Sequence, residues 1–214
     1  MFKRRQKNIY LRVKDGRVII SAPKGTPVDF LKSFAESKRT FIQENIKRFD
    51  SKKKSEYITG AKHRLWGREY ILLVKESKKA FCEIEGDNIV IYAPFGLEQD
   101  QIKNILIEFY RKELNRAYPA VLKECEALSG ITAQECRIKN MKTRWGSCNT
   151  NKKRIWLSLR LACFDPICLR SVILHELCHI RIPNHSKDFY ILLNSLDKHQ
   201  KETKEMLKTY ESTY

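Results

Sequence analysis

The stretch LHELCHIRIPNH, residues 174–185, contains three of the five histidines of a 214-residue chain. His175 and His179 are four residues apart, so on a helix they lie one turn apart and about 40° apart around the axis. Both imidazoles can then reach one tetrahedral ion. Glu176 is turned about 100° away from His175, which suits a base acting on a water at the metal better than a ligand. The spacing predicts a metal centre on a helix.

A third ligand is expected close to this helix, because a catalytic zinc takes three protein ligands and keeps its fourth position for water. His185 follows Pro183, which ends the helix and lets the chain fold back across the site. We therefore predict His185 as the third ligand of one Zn²⁺ per chain. The competing ligands lie on the last predicted helix: Glu202, Glu205 and His199. His63 and His199 are otherwise interpreted as surface or structural residues.

The residues around the motif, in SVILHELCHIRI (171–182), are mostly apolar, so we expect the helix to be buried. Two buried imidazoles and a buried carboxylate need partners to offset their desolvation, and a metal supplies them. The non-functional alternative is a pair of core histidines satisfied by local hydrogen bonds. Cys178 lies three residues from His175 and could approach the metal, but we predict that it packs in the core.

An internal repeat organises the first half of the chain. VIISAPKGTPVDFLKSF (18–34) aligns with IVIYAPFGLEQDQIKNI (89–105), each a strand, an Ala-Pro-x-Gly turn and a helical segment. The strands belong to predicted hairpins that turn at Asp15-Gly16 and at Gly86-Asp87. A further hairpin is predicted in KHRLWGREYILLVKE (62–76). The pattern indicates a duplicated strand-turn-strand-helix unit.

The second half predicts three helices and one hairpin. The helices run from Glu98 to about Leu128, from Asp165-Pro166 through the histidine motif, and from Ser186 to about Lys208, and the hairpin lies in residues 136–161 with its turn at Asn149 to Lys153. Pro119 marks a break or a kink in the first helix, and Gly130 ends it. Asp165 is the expected N-cap of the motif helix, with Pro166 at its first position.

The positive charge is concentrated near the N-terminus, where residues 1–80 carry 22 Lys and Arg against 8 Asp and Glu. Residues 81–214 carry 20 against 17. Such a field attracts nucleic acid, nucleotides or acidic protein segments. The alternative is a solvated basic face that only keeps the protein soluble, since the region lacks the aromatic pattern of a recognised nucleic-acid module.

Compartment and membrane association follow from three further features. The chain has no apolar run of about 20 residues and no secretory signal. Its seven cysteines contain no C-x-x-C pair, which is typical of free thiols in a reducing compartment. We expect a cytoplasmic protein without a membrane partner.

Three segments resemble the YgjP-like metal-dependent hydrolases, a zincin-type metallopeptidase family: MKTRWGSC (141–148), IWLSLRL (155–161) and VILHELCHIRIPNHSKDFY (172–190). The family pattern is an R-W-G-S-C hairpin followed by H-E-L-x-H and N-H-S-x-x-F, and RVIISAPKGTP (17–27) is similar to the start of its domain. The resemblance implies that the family's metal ligands fall on His175, His179 and His185, and its catalytic glutamate on Glu176. Cys178 and Tyr190 depart from the usual alanine and tryptophan, which affects pocket shape and redox sensitivity.

The resemblance implies an α+β fold in two parts. Residues 1–96 form a basic region with the repeat and residues 97–214 a zincin-like catalytic domain, unless both form one compact unit. In such folds a sheet edge beside the helix can pair with an extended substrate. Arg144, Trp145 and Gly146 would place a cation, a flat apolar wall and an open backbone near the metal, or form a structural turn with a packed Trp.

The function predicted from the sequence is zinc-dependent hydrolysis of an amide bond in a peptide or protein, by water that Glu176 activates. A second hypothesis keeps the site and changes the substrate to a nucleotide, with the basic region delivering the phosphoanhydride. A third is a nucleic-acid-associated SprT-like peptidase or a non-enzymatic metal-binding module.

Overall fold

The computed structural model describes residues 2–3, 7–14, 17–51 and 57–211. Its contacts divide the chain into a first unit, Met1–Lys54 with Glu211–Tyr214, and a second unit, Ser55–Tyr210. The division therefore falls between residues 54 and 55 rather than at the expected boundary between 96 and 97. The physical reason is that the strands of residues 62–93 pack against the long helix that follows them. The α+β class expected from the sequence is confirmed.

The first unit contains a three-stranded sheet of order β1-β3-β2 and two helices. Its elements are β1 (Phe2–Lys3), β2 (Tyr10–Lys14), β3 (Arg17–Pro23), α1 (Val28–Ser37) and α2 (Arg39–Ser51). β2 and β3 are antiparallel, and β1 runs parallel to β3. The predicted turn residues Asp15-Gly16 lie outside the described residues.

The second unit begins with a four-stranded sheet of order β4-β5-β7-β6. Its strands are β4 (Lys62–Leu65), β5 (Arg68–Glu76), β6 (Phe81–Glu85) and β7 (Asn88–Ala93). The two predicted hairpins of this sheet are present, and β5 and β7 pair in parallel. Both copies of the sequence repeat thus contain an antiparallel hairpin followed by a helix, while the duplication itself stays a prediction.

The turn between β4 and β5 fixes the chain segment that leads to the motif helix. Trp66 and Gly67 have φ values of 51° and 82°, which is the pattern of a tight hairpin turn with two left-handed residues. The Trp66 amide donates to the carbonyl of Ala162 at 2.8 Å, in a 3-10 helix over Leu159–Cys163. A Cβ on Gly67 would meet the backbone nitrogen of Asp165 at 3.2 Å, so glycine allows this close approach.

A single long helix, α3 (Gln99–Ser129), follows this sheet. Its first turn is closed by the Glu98 amide, which donates to the side chain of Gln101 at 2.9 Å, and it ends at Gly130, whose φ is 63°. The break considered at Pro119 is wrong, because the helix continues through this residue. Burial of Leu114 and Cys125 on either side of Pro119 offsets the missing backbone hydrogen bond.

The second sheet has three strands in the order β8-β10-β9: β8 (Glu135–Lys139), β9 (Gly146–Asn149) and β10 (Arg154–Ser158). The predicted hairpin corresponds to β9 and β10, which are antiparallel. The sequence predicted only two strands in this region, and that count is wrong because β8 pairs in parallel with the far side of β10. Residues 140–145 carry the chain from one side of β10 to the other.

Three helices complete the second unit: α4 (Pro166–Arg181), α5 (Lys187–Leu196) and α6 (Gln200–Glu211). The start of α4 is confirmed, since the Asp165 carboxylate accepts the amide of Ile167 at 2.9 Å. The single final helix is wrong, because α5 and α6 are separate. Asp197 separates them by accepting both the amide of His199 at 3.0 Å and the hydroxyl of Ser171 at 2.5 Å.

The hydrophobic core of the second unit surrounds α4. Leu169, Ile173, Leu174 and Leu177 on this helix are fully buried, and α4 packs against α3, α5, β9 and β10. The motif helix is therefore the central element of the unit, which holds its side chains in fixed positions. Within the described ranges, no helix combines the length and the apolar character needed to cross a membrane.

Candidate metal centre

Two adjacent elements carry the three histidines of the motif. His175, Glu176 and His179 lie on the buried helix α4, and His185 lies in the turn between α4 and α5. The hydroxyl of Ser186 accepts the amide of Phe189 at 3.4 Å and so caps α5 directly after His185. The cap fixes where the chain re-enters a helix, and with it the position of His185.

The three imidazoles converge on one point through their Nε2 atoms. The Nε2 atom of His175 lies 3.2 Å from that of His179 and 3.1 Å from that of His185. Two nitrogens bound to one tetrahedral zinc at the usual distance lie about 3.3 Å apart. The observed spacings therefore fit a single ion, and among the described residues these three form the group able to hold one.

Hydrogen bonding alone cannot satisfy this arrangement. The Nδ1 atom of His179 lies 3.3 Å from the carbonyl oxygen of Ile182, so in the neutral ring Nδ1 carries the proton and Nε2 has a lone pair. His175 Nε2 has either one proton or one lone pair, so it can form a hydrogen bond with only one of the two other Nε2 atoms, and one N···N contact stays without a hydrogen bond. A cation between the rings satisfies all three, and the Ile182 carbonyl accepts the Nδ1 proton of His179 and so turns its Nε2 toward the ion.

Phe189 forms the apolar floor of the cluster. Its side chain is fully buried, and its ring centroid lies 5.0 Å from His175, 4.5 Å from His179 and 4.8 Å from His185. One side chain on α5 thus contacts all three imidazoles. Packing of this kind restricts their rotation and holds the Nε2 atoms together.

Burial keeps His175 and His179 in the form that binds a metal. It lowers the pKa of His175 to about 4, with the charges of His179 and His185 acting in the same direction. Burial also lowers the pKa of His179. Both rings are therefore neutral near pH 7, and neutral imidazole is the metal-binding form.

Glu176 is a buried carboxyl group beside this cluster. Glu176 is only 5% exposed. Burial raises the pKa of its carboxyl group to about 8, and the charge of Arg144 opposes this effect. Gly146 lies directly against it, since a Cβ at this position would be 2.5 Å from Glu176 Oε1. Any larger residue at position 146 would displace the carboxylate.

Of the three predicted substrate-binding residues, Arg144 and Trp145 directly precede β9 and Gly146 begins it; Gly146 lies against Glu176, and the charge of Arg144 acts on it. Arg144 is exposed. The Trp145 ring packs edge-to-face on Phe164 at 4.9 Å, and the Arg160 guanidinium lies 4.2 Å above it. Trp145 therefore has a packing role, Gly146 gives room to Glu176, and contact of these residues with a substrate stays a prediction.

The competing ligands lie elsewhere. His199 Nδ1 is 3.3 Å from the carboxylate of Glu202, and Glu205 accepts the ammonium of Lys208 at 2.6 Å. His63 is buried in β4. Cys178 is fully buried in the hydrophobic core, where burial raises its thiol pKa to about 11.

The sequence did not predict the buried polar cluster that supports α4 one turn before His175. Ser171, one turn before His175, donates to the buried Asp197 at 2.5 Å and accepts the hydroxyl of Thr203 at 2.9 Å. The partners are 26 and 32 residues apart along the chain, so no local pattern reveals them. The polar Ser171 directly before the apolar residues 172–174 of this helix was the only available signal.

Comparison with known proteins gives the following similarities. A model of the YgjP-like family, described as a metallopeptidase domain, matches residues 7–210. The chain is similar to the solved metallopeptidase zymogen abylysin of Pyrococcus abyssi, with 17% identity and a TM-score of 0.40 over 44% of this chain and 93% of that one. It is also similar to the zymogen jannalysin of Methanocaldococcus jannaschii, with 26% identity and a TM-score of 0.38 over 44% and 95%. No curated protein matches.

Proposed function

The chain belongs to the YgjP-like family of metallopeptidase domains, and we propose that its metal is one Zn²⁺ held by His175, His179 and His185, with Glu176 as the catalytic base. Family membership confirms the resemblance found in the sequence and makes the protein a metal-dependent hydrolase. The observation that carries the proposed site is the convergence of three Nε2 atoms beside a buried carboxyl group.

The donor set is suited to a catalytic zinc. Three imidazoles are a common catalytic ligand set, whereas a structural zinc takes four protein ligands. Among the residues that the structure describes, the group contains only these three histidines. When bound, the zinc supplies Lewis acidity and lowers the pKa of a coordinated water toward about 7.

Glu176 performs the proton transfers in this mechanism. Its buried position and raised pKa favour uptake of a proton from the attacking water near neutral pH and its return to the leaving amine. The charge of Arg144 opposes the effect of burial and favours the charged form of Glu176, which is the form that acts as a base. Gly146 leaves the room that the carboxylate needs to face the reacting water.

The free edge of β9 is the proposed site for the substrate backbone. β9 pairs with β10 on one side only within the described sheet, and it starts at Gly146, against the catalytic carboxylate. An extended peptide added to this edge by main-chain hydrogen bonds would run past Glu176. Arg144 at the same end would supply a cation for a carbonyl or carboxylate oxygen of the peptide.

Membership of a metallopeptidase family favours an amide bond over a phosphoanhydride as the bond that is cleaved, and a three-ligand site favours a catalytic over a structural metal. We propose in addition that the catalytic unit has a zincin-like fold. The cytoplasm remains the proposed compartment, because all seven cysteines are free thiols.

The test compares wild type with Glu176→Gln, which keeps the shape of the side chain and removes the base. Zinc content is measured together with turnover of casein and of a nucleoside triphosphate. We expect one zinc per chain in both proteins and casein cleavage by wild type only. Undiminished cleavage by the variant would disprove the role of Glu176, and hydrolysis of the triphosphate alone would disprove the peptidase assignment.

A further inference from the structure

The second sheet has an outer face that points away from α4. Ile155 and Leu157 of β10 are fully buried on the inner face, so the alternating residues Arg154 and Trp156 belong to the outer face. Strand register places the neighbours of Trp156 there too: Arg137 of β8 and Ser147 of β9. We call this surface the outer face, and its members are Glu135, Arg137, Lys139, Ser147, Asn149, Arg154 and Trp156.

Trp156 is the centre of the outer face. Its side chain is half-buried and does not pack against the core of the second unit. The Arg137 guanidinium lies 5.6 Å and the Lys139 ammonium 5.8 Å from its ring centroid. A large aromatic side chain that does not pack in the core therefore lies beside two cations of the neighbouring strand β8.

The outer face also has an excess of positive charge. Glu135 pairs with both Arg137 and Arg154, so one carboxylate is shared by two guanidinium groups. Lys139 adds a further cation on the same face, and the exposed turn residues Lys152 and Lys153 extend the positive surface beyond the ends of β9 and β10. The surface is complementary to a polyanion.

We propose that the outer face binds single-stranded nucleic acid. Phosphates would lie on Arg137, Lys139 and Arg154, and a base would stack on Trp156. Indole rings and guanidinium planes are both surfaces on which unpaired bases stack, and a cationic surface around them follows the backbone. An acidic peptide would use the charges but not the ring, and in a duplex the bases are already stacked.

This proposal is independent of the peptidase site. On the inner face of β9, Gly146 lies against Glu176, and burial together with the charge of Glu176 raises the pKa of the Cys148 thiol, whereas Trp156 lies on the opposite face. Trp156→Ala is therefore expected to keep casein cleavage. Nucleic-acid binding and peptidase activity can each fail without the other.

The first experiment measures binding of the full chain to a fluorescein-labelled 20-nucleotide oligothymidylate by anisotropy. Three phosphate contacts predict a slope of about −2 in log affinity against log salt, or about 20-fold weaker binding at 200 mM than at 50 mM salt. Trp156→Ala should weaken binding by about 5-fold to 150-fold, the range for loss of one stacked base. Trp156→Phe should restore most of it.

Matched controls separate this surface from net charge. Arg137→Gln with Lys139→Gln removes two charges from the outer face, and Arg116→Gln with Lys123→Gln removes two from exposed positions on α3. Only the first pair should reduce the salt slope by about 1.4. Phe95→Ala, at a residue 89% exposed, is the control for loss of an aromatic side chain and should leave binding unchanged.

Several results would overturn the proposal. They are absence of binding at 50 mM salt, equal losses in the two charge pairs, tighter binding of a duplex of the same length, and equal competition by polyglutamate. Should Trp156→Ala not fold, ultraviolet cross-linking of wild type to a 4-thiothymidine oligonucleotide decides. Cross-links in the peptide containing residues 154–156 support the outer face, and cross-links confined to residues 1–54 refute it.

Discussion

Gly146→Ala tests the contact between β9 and the catalytic carboxylate with the smallest possible change. The added methyl group would lie 2.5 Å from Oε1, 2.8 Å from Cγ and 2.9 Å from Cδ of Glu176. Gly146 is not among the glycines with a left-handed backbone, so the substitution acts through this contact. The other side of the contact is a buried side chain on a buried helix, which has little room to move.

The expected size of the effect follows from these distances. Restoring an ordinary contact of about 3.4 Å from 2.5 Å moves the carboxylate by about 0.9 Å. Misplacement of a catalytic group by about 1 Å costs about 100-fold in rate, and an extra methyl group in a packed site lowers the free energy of unfolding by about 1–3 kcal/mol. We therefore expect a kcat about 100-fold lower in a protein that still folds.

The assay is cleavage of casein or a quenched peptide, with zinc content and thermal unfolding measured on the same samples. Ser147→Ala, at the next position and on the opposite face of β9, is the matched control and should retain wild-type kcat. Because the histidines are not touched, Gly146→Ala should bind one zinc. A kcat within a factor of three of wild type would refute the account of how Glu176 is held.

Further predictions concern the support of the site and its titration. Asp197 accepts the Ser171 hydroxyl on one oxygen and the His199 amide on the other, so Asp197→Asn leaves one of these two donors facing an NH2 group and should lower the free energy of unfolding by about 1–3 kcal/mol; denaturant unfolding measures the loss, and no change would contradict this role of the carboxylate. Phe189→Ala removes the floor of the three imidazoles and should cost about 3–5 kcal/mol together with weaker zinc binding in a chelator competition, whereas wild-type zinc affinity would contradict the packing role. In the metal-free protein, the pKa of Glu176 is raised from 4.5 to about 8, so between these values the folded state binds more protons than the unfolded state and stability falls as pH rises, by up to about 1.4 kcal/mol per pH unit. Metal-free Glu176→Gln should therefore gain stability relative to wild type from pH 5 to pH 8, and parallel pH profiles would show that the carboxyl is not buried. Chelation of zinc present at 100 times its Kd should remove about 2.7 kcal/mol of stability, and an unchanged unfolding midpoint would argue against binding to the folded state.

The sequence predicted the elements whose signals are local. Asp165-Pro166 starts α4 because a carboxylate cap and a proline act within one turn. Gly86 forms the turn of its hairpin because glycine adopts the left-handed conformation, here with a φ of 59°, without a steric cost. The convergence of His175 and His179 follows from helix geometry alone, and a proline-ended turn returns His185 to them.

Features that depend on residues far away in the sequence could not be predicted from local patterns. The end of α5 depends on Asp197, whose partner Ser171 lies 26 residues earlier, so the apolar period appeared to continue into α6. The addition of β8 to the hairpin depends on pairing across the irregular residues 140–145. The need for glycine at 146 depends on Glu176, 30 positions away, and a glycine in a strand pattern shows only that something approaches closely.

In the proposed site three histidines and no sulfur hold one zinc ion, and zinc-edge X-ray absorption of the purified protein measures these ligands. We expect about three nitrogen ligands at about 2.0–2.1 Å and one oxygen ligand, with the nitrogen count reduced in His185→Ala. A sulfur ligand at about 2.3 Å, or a spectrum unaffected by His185→Ala, would contradict it.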